Sequence, residues 1–355
     1  MAIRVIQWGT GLVGAESLRV LLRRDDLEVV GVWRHSANQV GRDIASLTGG
    51  PDTGIRFTNS LQEIVAIDAD CVLYMPRRAH IDEVVALLAS GKNVICTPFA
   101  FFAKSWPEAD YSRIEKACAA GNSTLYGTGL NPGFAGMIQP AALLGMSNRV
   151  DHIRIEERAN WSFYGNAEIT LELMKFGSPA EEAALENNPF VQFNDQIFKE
   201  QISMLADALK IALDEITTDQ DLVLSESSFD IRSGHIAAQT VCGQRYHWRG
   251  WKNGRSLIEI DALWNVGEDY PTHWPKPRDG WTVSIEGSPS MQTHFVTLAS
   301  FRPDSGATLD DHVHSADIAT AMLAVNSIPQ VVSAAAGVIA AHQMPLAIPN
   351  RPFNE

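Results

Sequence analysis

A glycine-rich turn between an apolar strand and a helix constrains the fold more than any other part of this sequence. The segment Gly9-Thr10-Gly11-Leu12-Val13-Gly14 follows a strand-like run over residues 3–8 and opens the first helix. In this pattern the first glycine permits a tight turn, the second lets the backbone approach a pyrophosphate, and the third lets helix and strand pack closely. The helix N-terminus offers unpaired N–H groups to the phosphates. The pattern predicts a dinucleotide-binding turn; a plain turn with incidental glycines is the alternative.

Apolar strand-like runs alternate with helix-like segments from residue 3 to about residue 128. The pattern predicts strands over 3–8, 27–33, 71–75, 93–97 and 124–127, and helices over 15–24, 61–67, 80–90 and 109–120. Near-continuous apolar strands separated by helices are typical of a parallel sheet covered on both faces. We therefore expect residues 1–150 to form a doubly wound α/β domain that binds a dinucleotide.

The hydrophobic pattern changes to a period of two after about residue 150. Alternating runs occur at 152–158, 236–241, 257–264, 281–286 and 292–298, with helix-like segments at 168–176 and 195–213 and turn clusters at 252–254 and 275–280. Such alternation predicts a mixed or antiparallel sheet with one face covered, so residues 151–310 are expected to form a second, α+β domain. Residues 311–355 are predicted to be a C-terminal helical segment that returns to the first domain.

The charge balance excludes several classes of partner. Twenty-eight Lys and Arg against 42 Asp and Glu give a net charge of −14, which repels nucleic-acid backbones and anionic membrane surfaces. The four cysteines form no CxxC pair, and polar residues interrupt the longest apolar segment, 316–341. The sequence thus predicts a protein of a reducing compartment without a signal peptide or membrane span, and a cytoplasmic location.

Cofactor choice in such a domain is made at the end of the second strand, where NAD-specific sites usually carry an acidic residue. This chain has Trp33-Arg34-His35-Ser36 there. The guanidinium of Arg34 and the hydroxyl of Ser36 are suited to a 2′-phosphate. The segment therefore favours NADP(H), with NAD(H) still possible; a solvated surface arginine is the alternative reading.

The sequence resembles the dihydrodipicolinate reductase-like family, and within it the branch of 2,4-diaminopentanoate dehydrogenase and the native amine dehydrogenases. The resemblance is carried by VIQWGTG at 5–11, GVWRHS at 31–36, VGRD at 40–43, SGKNV at 90–94, GTGLNPGF at 127–134 and TAMLAVNSIP at 320–329. Ser162-Phe163-Tyr164, Ala167-Glu168 and Phe176-Gly177 extend it, so that it covers nearly the whole chain.

This resemblance implies a Rossmann domain, a substrate-binding and dimerisation domain, a homodimer, and hydride transfer between a nicotinamide and the carbon of a C=O or C=N group. It completes the predicted cofactor-binding set with Pro76, Thr97, Asn131, Pro132 and Gly133. It also implies a small-molecule substrate site lined by Phe102, Phe134, Trp161 and Tyr164.

Two departures from the family pattern narrow the predicted reaction and the predicted class of substrate. The paired histidines and lysine of true dihydrodipicolinate reductases are missing, which argues against lysine biosynthesis. Phe102 stands at or near the position where amine dehydrogenases have a glutamate that binds the substrate nitrogen. We therefore predict an NADP-dependent oxidoreductase acting on a largely apolar carbonyl or imine. An amine dehydrogenase without the usual glutamate and a non-catalytic NADP-binding sensor are the alternatives.

Tyr164 is the predicted catalytic proton donor, since its phenol can donate to a developing alkoxide; the alternative is a pocket tyrosine bonded to the backbone. His235, His247 and His273 can also titrate near neutrality, and the sequence does not rank them. The pair in Asp311-His312-Val313-His314 lacks a third ligand, so no metal is predicted and capping or packing is expected there.

Overall fold

The computed structural model describes residues 2–268, 271, 273–275 and 278–350. The chain forms two compact units, one from residues 1–134 and 314–355 and the other from residues 135–313. The predicted boundaries at 150 and 310 differ from these divisions, which fall after Phe134 and Val313. The ends of the predicted ranges at Met1 and 351–355 lie outside the described residues, as does part of the predicted turn at 275–280.

The first unit contains a seven-stranded sheet with helices between its strands. Its strands are β1 (Ile3–Trp8), β2 (Leu27–Trp33), β3 (Phe57–Thr58), β4 (Cys71–Tyr74), β5 (Asn93–Cys96), β6 (Thr124–Gly127) and β15 (Gly337–Ile339). Its helices are α1 (Leu12–Leu21), α2 (Ala45–Thr48), α3 (Leu61–Ala66), α4 (Ile81–Ala89), α5 (Glu108–Gly121) and α10 (Ile328–Ser333). Short 3₁₀ turns occur at Ala37–Gln39, Ala103–Ser105 and Ala341–Gln343.

The strands of this sheet are parallel and follow the order β15-β6-β5-β4-β1-β2-β3. This is the doubly wound order, in which the direction of winding reverses between β1 and β4. The predicted fold class, a Rossmann-type parallel sheet with a second α+β domain, is confirmed. The functional edge of such a sheet is at the carboxyl ends of its strands, next to the reversal point.

Local chemistry sets the ends of several of these elements. The Ser60 hydroxyl accepts the N–H of Glu63 and begins α3, and Gly91, at a φ of +88°, follows α4 as predicted for a C-cap glycine. The helix predicted from residue 15 begins earlier, at Leu12, because Gly11 of the turn is its N-cap. The prediction of helix across 315–341 was wrong at its end: α10 stops at Ser333 and β15 pairs with β6.

The second unit is built on a six-stranded mixed sheet and a separate two-stranded hairpin. Its strands are β7 (Arg149–Asn160), β8 (Glu215–Leu224), β9 (Phe229–Ile231), β10 (Gly234–Ile236), β11 (Val241–Lys252), β12 (Arg255–Asn265), β13 (Gly280–Ser288) and β14 (Met291–Phe295). Its helices are α6 (Gln139–Leu144), α7 (Ala180–Ala183), α8 (Pro189–Ala208) and the start of α9 (Leu309–Asn326), with a 3₁₀ turn at Trp161–Phe163. Segment Glu168–Leu173 is π-helical. Segment Leu130–Ile138, which runs from the first unit into the second, is interrupted by a kink at Asn131, whose φ of −136° and ψ of 130° are extended.

The order β14-β13-β7-β12-β11-β8 is antiparallel except where β7 and β12 run parallel, and β9 and β10 form a separate hairpin. Helix α8 packs its Phe198 ring flat on Trp248, with ring centroids 4.1 Å apart, and so covers one face. The predicted turn at 252–254 joins β11 to β12, with Asn253 and Gly254 both at positive φ.

Several sequence-based boundaries in this unit were wrong. Residues 237–240 are not in a strand, because the chain turns there from β10 into β11. The helix expected over 195–213 lies at Pro189–Ala208, begun by Asn188, whose side-chain oxygen accepts the N–H groups of Phe190 and Val191. Strand β14 stops at Phe295, three residues before the predicted end.

Among the described helices, none combines the length and hydrophobicity that crossing a lipid bilayer requires.

Candidate functional site

The three glycines of the turn occupy three different environments. Gly9 has a φ of +94°, and a Cβ there would lie 2.4 Å from the Met75 carbonyl oxygen. A Cβ on Gly14 would lie 2.1 Å from the Gly9 carbonyl oxygen. A Cβ on Gly11 would meet no atom within 4 Å among the described residues. Crowding at the first and third positions and open space at the second are what the pyrophosphate-binding turn requires.

A buried glutamine that sequence reasoning missed supports the turn from below. Gln7 is fully buried in β1, and its Nε2 donates to the Gly9 carbonyl oxygen over 2.9 Å. Its Oε1 has no hydrogen-bond partner among the described residues. None of the described side chains caps Gly11 at the start of α1, so that the first N–H groups of this helix are available to a ligand's phosphates. These residues fit a dinucleotide.

The residues predicted to recognise the 2′ position of the cofactor follow directly after β2. The Arg34 guanidinium lies over the Phe57 ring, 5.0 Å from its centroid, and the Arg34 N–H donates to the Thr58 carbonyl oxygen. This cation–π contact holds the planar donor group in place beside the strand end. His35 and Ser36 are exposed, and the His35 ring is 6.1 Å from the ring of Trp33.

The remaining predicted cofactor residues lie at the carboxyl ends of β4, β5 and β6. Pro76 is half-buried, and its nitrogen would be 3.1 Å from a Cβ on Gly9, which places it against the glycine turn. The Thr97 N–H donates to the Tyr74 carbonyl oxygen over 3.3 Å. The structure thus gathers the glycine turn, Arg34, Pro76 and Thr97 along one edge of the sheet.

The predicted turn Asn131-Pro132-Gly133-Phe134 follows β6 and has a cis peptide bond before its proline. The Phe134 N–H donates to the Gly129 carbonyl oxygen over 2.8 Å. A Cβ on Gly133 would lie 3.1 Å from Cα of Thr128, so the turn folds back tightly on the end of β6. Thr320 of α9 accepts the Leu130 N–H, which ties the C-terminal helix to this segment.

Phe102 lies in a buried apolar segment after β5. Phe102 is 7% exposed, and its neighbour Phe101 is 3% exposed. The Phe102 carbonyl oxygen accepts hydrogen bonds from the Ser105 N–H and hydroxyl. A Cβ on Gly127 would lie 2.2 Å from the Ala100 carbonyl oxygen, so glycine in β6 lets this segment pass close to the strand. A glutamate at position 102 would place its carboxylate in an apolar environment, which is costly without a partner.

A row of aromatic rings runs along the same sheet edge, and it was missed in the sequence. Trp8 stacks on Trp33 with centroids 4.5 Å apart; Tyr74, Phe99 and Trp106 continue the row at centroid distances of 5.5, 6.0 and 5.5 Å. Burial and a hydrogen bond to Glu83 hold the pKa of Tyr74 well above its usual value. The available clue was that Trp33, Trp8 and Tyr74 each end a strand.

In the second unit, Trp161 and Tyr164 lie together at the end of β7. Their rings meet edge to face with centroids 5.2 Å apart, and the Tyr164 N–H donates to the Trp161 carbonyl oxygen. Both side chains are half-buried. The structure brings this predicted pair together, and the role of Tyr164 as proton donor stays a prediction.

One face of the second sheet carries a charge network that the sequence did not reveal. Asp261, 1% exposed, lies 2.8 Å from Nη2 of both Arg154 and Arg158, and 3.0 Å from Arg245 Nε and His247 Nε2. Burial raises the pKa of Asp261, but hydrogen bonds from His247 and Arg245 and the charge of Arg158 outweigh it and hold the pKa far below its usual range.

The three histidines left open by the sequence each face an aspartate: His235 with Asp230, His247 with Asp261, and His273 with Asp221. In 308–314, Thr308 and Asp311 exchange hydrogen bonds at the start of α9, which is the expected capping. Burial alone would lower the pKa of His314, but hydrogen bonds to Glu16 and Asp317 have the larger effect, so that its pKa is raised. Within the described ranges, no group of three or more His, Cys, Asp or Glu side chains could hold a metal ion.

Comparison with known proteins decides the family. The model of the 2,4-diaminopentanoate dehydrogenase C-terminal domain matches residues 141–351, which is more than half of the chain. The chain belongs to this family. The 2,4-diaminopentanoate dehydrogenase family was the branch predicted from the motifs, and that prediction is confirmed. An amine dehydrogenase of Streptomyces virginiae is 26% identical over 305 residues, covering 82% of this chain and 84% of the relative.

Solved structures share the fold of this chain. An amine dehydrogenase from Mycobacterium smegmatis superposes with a TM-score of 0.76 at 16% identity and 99% coverage of both chains. A myo-inositol dehydrogenase from Lactobacillus casei, solved with NAD(H) and myo-inositol, gives 0.55 at 14% identity, covering 96% of this chain and 90% of that one. The prediction of an NAD(P)-dependent dehydrogenase or reductase is confirmed by the family and the curated relative.

Proposed function

We propose that this enzyme is an NADPH-dependent oxidoreductase that transfers hydride to the carbon of a C=O or C=N group in a largely apolar small molecule. The observation that carries the proposal is the sheet edge of the first unit, where a pyrophosphate-binding turn is followed, one strand over, by an arginine rather than an acid. The bound nicotinamide supplies the hydride. The chain supplies the turn that orients the diphosphate and the apolar residues that exclude water.

The cofactor preference rests on Arg34. The Arg34 guanidinium lies over the Phe57 ring. Arg34 itself follows the end of β2, where the ribose 2′ position of a dinucleotide is recognised in this fold. A planar donor group in this place suits a phosphate, and the chain has no acid between Trp33 and Ser36 to bind a 2′-hydroxyl. NADH is expected to bind more weakly.

The substrate preference rests on the buried phenylalanines before the Ala103–Ser105 turn. Since Phe102 is almost fully buried among apolar neighbours, the segment provides no carboxylate to pair with an ammonium ion. The match to an amine dehydrogenase favours a nitrogen-containing reaction as the second candidate, in which the imine forms before binding. Tyr164, beside Trp161, is proposed as the group that donates a proton to the reduced product.

The first experiment is a fluorescence titration of the purified protein with NADPH and NADH. Arg34→Ala is expected to weaken NADPH binding by about 10- to 100-fold, the value of a charge-assisted hydrogen bond, and to leave NADH binding unchanged. Arg23→Ala, at an exposed arginine of the same unit, is the matched control and should change neither affinity.

Each other outcome has a definite meaning. Equal binding of both cofactors would contradict the NADPH preference assigned to Arg34, and no binding of either would contradict the cofactor site itself. With NADPH binding established, a panel of ketones, aldehydes and preformed imines, run with and without ammonia, separates carbonyl reduction from amination. Tight NADPH binding without turnover across the panel would support a sensor instead.

We also propose a homodimer formed through the charged face of the second sheet. Positive and negative side chains alternate across this face, as in Arg249 between Asp219 and Glu259, so that two copies related by a twofold axis can pair opposite charges. Sedimentation should give twice the mass of the chain, and Arg249→Glu should raise the dimer dissociation constant at least about 10-fold. Arg149→Glu, at an exposed residue of β7, is the control; a monomeric native protein at micromolar concentration would contradict the proposal.

A further inference from the structure

Among the buried polar atoms of the second unit that have no hydrogen-bond partner in the described part of the chain, four lie on segments that contact one another near the end of β7. They are Nε1 of Trp161, Oγ1 of Thr170, Oγ of Ser233 and Oδ1 of Asn265. Thr170, Ser233 and Asn265 are 0%, 8% and 1% exposed. Buried polar groups in folded proteins nearly always have a partner, so that each of these atoms requires an explanation.

Two of the four lie at neighbouring strand ends. In the β7–β12 ladder Asn265 is paired with Asn160, the residue directly before Trp161. The two strand ends are joined further by Ser162, whose hydroxyl oxygen accepts the Gly267 N–H over 2.7 Å. Asn265 already uses its Nδ2 on the Gly267 carbonyl oxygen, so that the acceptor Oδ1 is left. A donor and an acceptor thus flank the same end of the sheet.

The other two atoms are brought to this place by the β9–β10 hairpin. Ser233 lies in its turn, and the N–H of the preceding Arg232 donates to the Ser162 carbonyl oxygen over 3.0 Å. A Cβ added to the glycine that follows Ser233 would lie 2.8 Å from Cδ1 of Leu171, the neighbour of Thr170. The segments of Trp161, Asn265 and Ser233 are therefore joined at Ser162, beside the predicted substrate-lining pair of Trp161 and Tyr164. The segment of Thr170 lies against the hairpin through Leu171.

We propose that these four atoms are the polar anchor of the substrate site, and that the substrate has a neutral hydroxyl or primary amide group away from its reacting carbon. The indole N–H requires an acceptor, the Asn265 oxygen requires a donor, and the two hydroxyls can serve as either. A hydroxyl or amide supplies both. A carboxylate would face the Asn265 oxygen with no proton to share. This inference rests on the proposed function and refines its largely apolar substrate.

The test uses two pairs of ketones that differ by one hydroxyl: 4-phenylbutan-2-one with 4-(4-hydroxyphenyl)butan-2-one, and cyclohexanone with 4-hydroxycyclohexanone. Binding to the NADP⁺-loaded protein is measured by calorimetry, and KM and kcat are measured with NADPH. At least one hydroxylated ketone should bind about 10-fold more tightly than its partner, which is the usual effect of one net hydrogen bond.

Thr170→Val keeps the shape of the side chain and removes its hydroxyl. It should abolish the preference by raising KM of the hydroxylated ketone with little change in kcat, while the melting temperature of the free protein stays equal or rises, because an unpaired buried group has been removed. Trp161→Phe should act in the same direction. Ser147→Ala removes another buried hydroxyl without a described partner, in the turn between α6 and β7, and should keep the preference.

The outcomes separate the two proposals. Equal binding of both members of each pair, or a preference that survives Thr170→Val and Trp161→Phe, would overturn the anchor and leave the proposed reaction intact. If these variants changed the melting temperature but not the preference, the four atoms would be bridged by bound water, and the anchor would be overturned. If NADPH binds but no ketone binds or reacts, the carbonyl part of the proposed function fails, and the anchor fails with it.

Discussion

Gly14→Ala is expected to lower the free energy of unfolding by about 2–3 kcal/mol and to abolish NADPH binding. The added methyl would lie 2.1 Å from the Gly9 carbonyl oxygen, which is backbone and cannot turn aside. Helix α1 must then move off β1, and the N–H groups at its start move with it. Thermal unfolding of the variant with and without NADPH measures both effects.

Gly11→Ala is the matched variant, and it should leave the free energy of unfolding nearly unchanged. Its backbone is at a φ of −70°, and its methyl would meet no described atom within 4 Å, so that unfolding should change by less than about 0.5 kcal/mol. The same methyl fills the space through which a pyrophosphate approaches, and NADPH affinity should fall at least about 10-fold. Normal NADPH binding by Gly11→Ala would contradict the assignment of the turn, and native stability of Gly14→Ala would contradict the close packing.

Asp261→Asn is expected to destabilise the protein by about 3–5 kcal/mol at pH 7, because it leaves the guanidinium groups of Arg154, Arg158 and Arg245 without their shared negative charge. Asp151→Asn, at a carboxylate whose side chain is 43% exposed, should cost less than about 1 kcal/mol and is the control. Urea unfolding of the three proteins gives the comparison.

The pH dependence of this difference follows from the lowered pKa of Asp261. A carboxyl group whose pKa is lower in the folded than in the unfolded state contributes its full stability above its unfolded pKa, about 3.9. That contribution is lost as the pH falls further towards the folded value. The gap between native protein and Asp261→Asn should therefore be constant from pH 7 to about pH 5 and narrow below about pH 4. A gap that did not change with acidification would assign the effect to shape rather than charge.

The sequence predicted the first unit better than the second for physical reasons. Strands β4 and β5 are buried at nearly every residue, and β1 and β2 are mostly apolar, so that each was found to within a residue or so. Strand β8 has half-exposed threonines and aspartates that resemble a loop, and it was missed. Three-residue β15 is too short for any period to show, and partners across the sheet define it.

Site residues followed the same division. The glycine turn was predictable because its requirements are local: a positive φ, a close approach and a helix start within six residues. Asp261 was not, because its partners are brought to it by strand register, with Arg154 and Arg245 more than 90 residues apart in the chain. The orphan atoms of Thr170 and Asn265 become visible when hydrogen bonds are assigned across folded segments, which no motif records.

The stacked indoles at the edge of the first sheet give this protein an internal optical reporter. Trp8 is covalently next to the first glycine of the turn, and Trp33 lies flat against it at 4.5 Å, directly before Arg34. Reduced nicotinamide absorbs at the wavelengths where tryptophan emits, and oxidised nicotinamide does not. Excitation of these rings should therefore transfer energy to a reduced nicotinamide cofactor bound at this turn but not to an oxidised one, so that occupancy and redox state of the cofactor can be followed together, in real time and without a label.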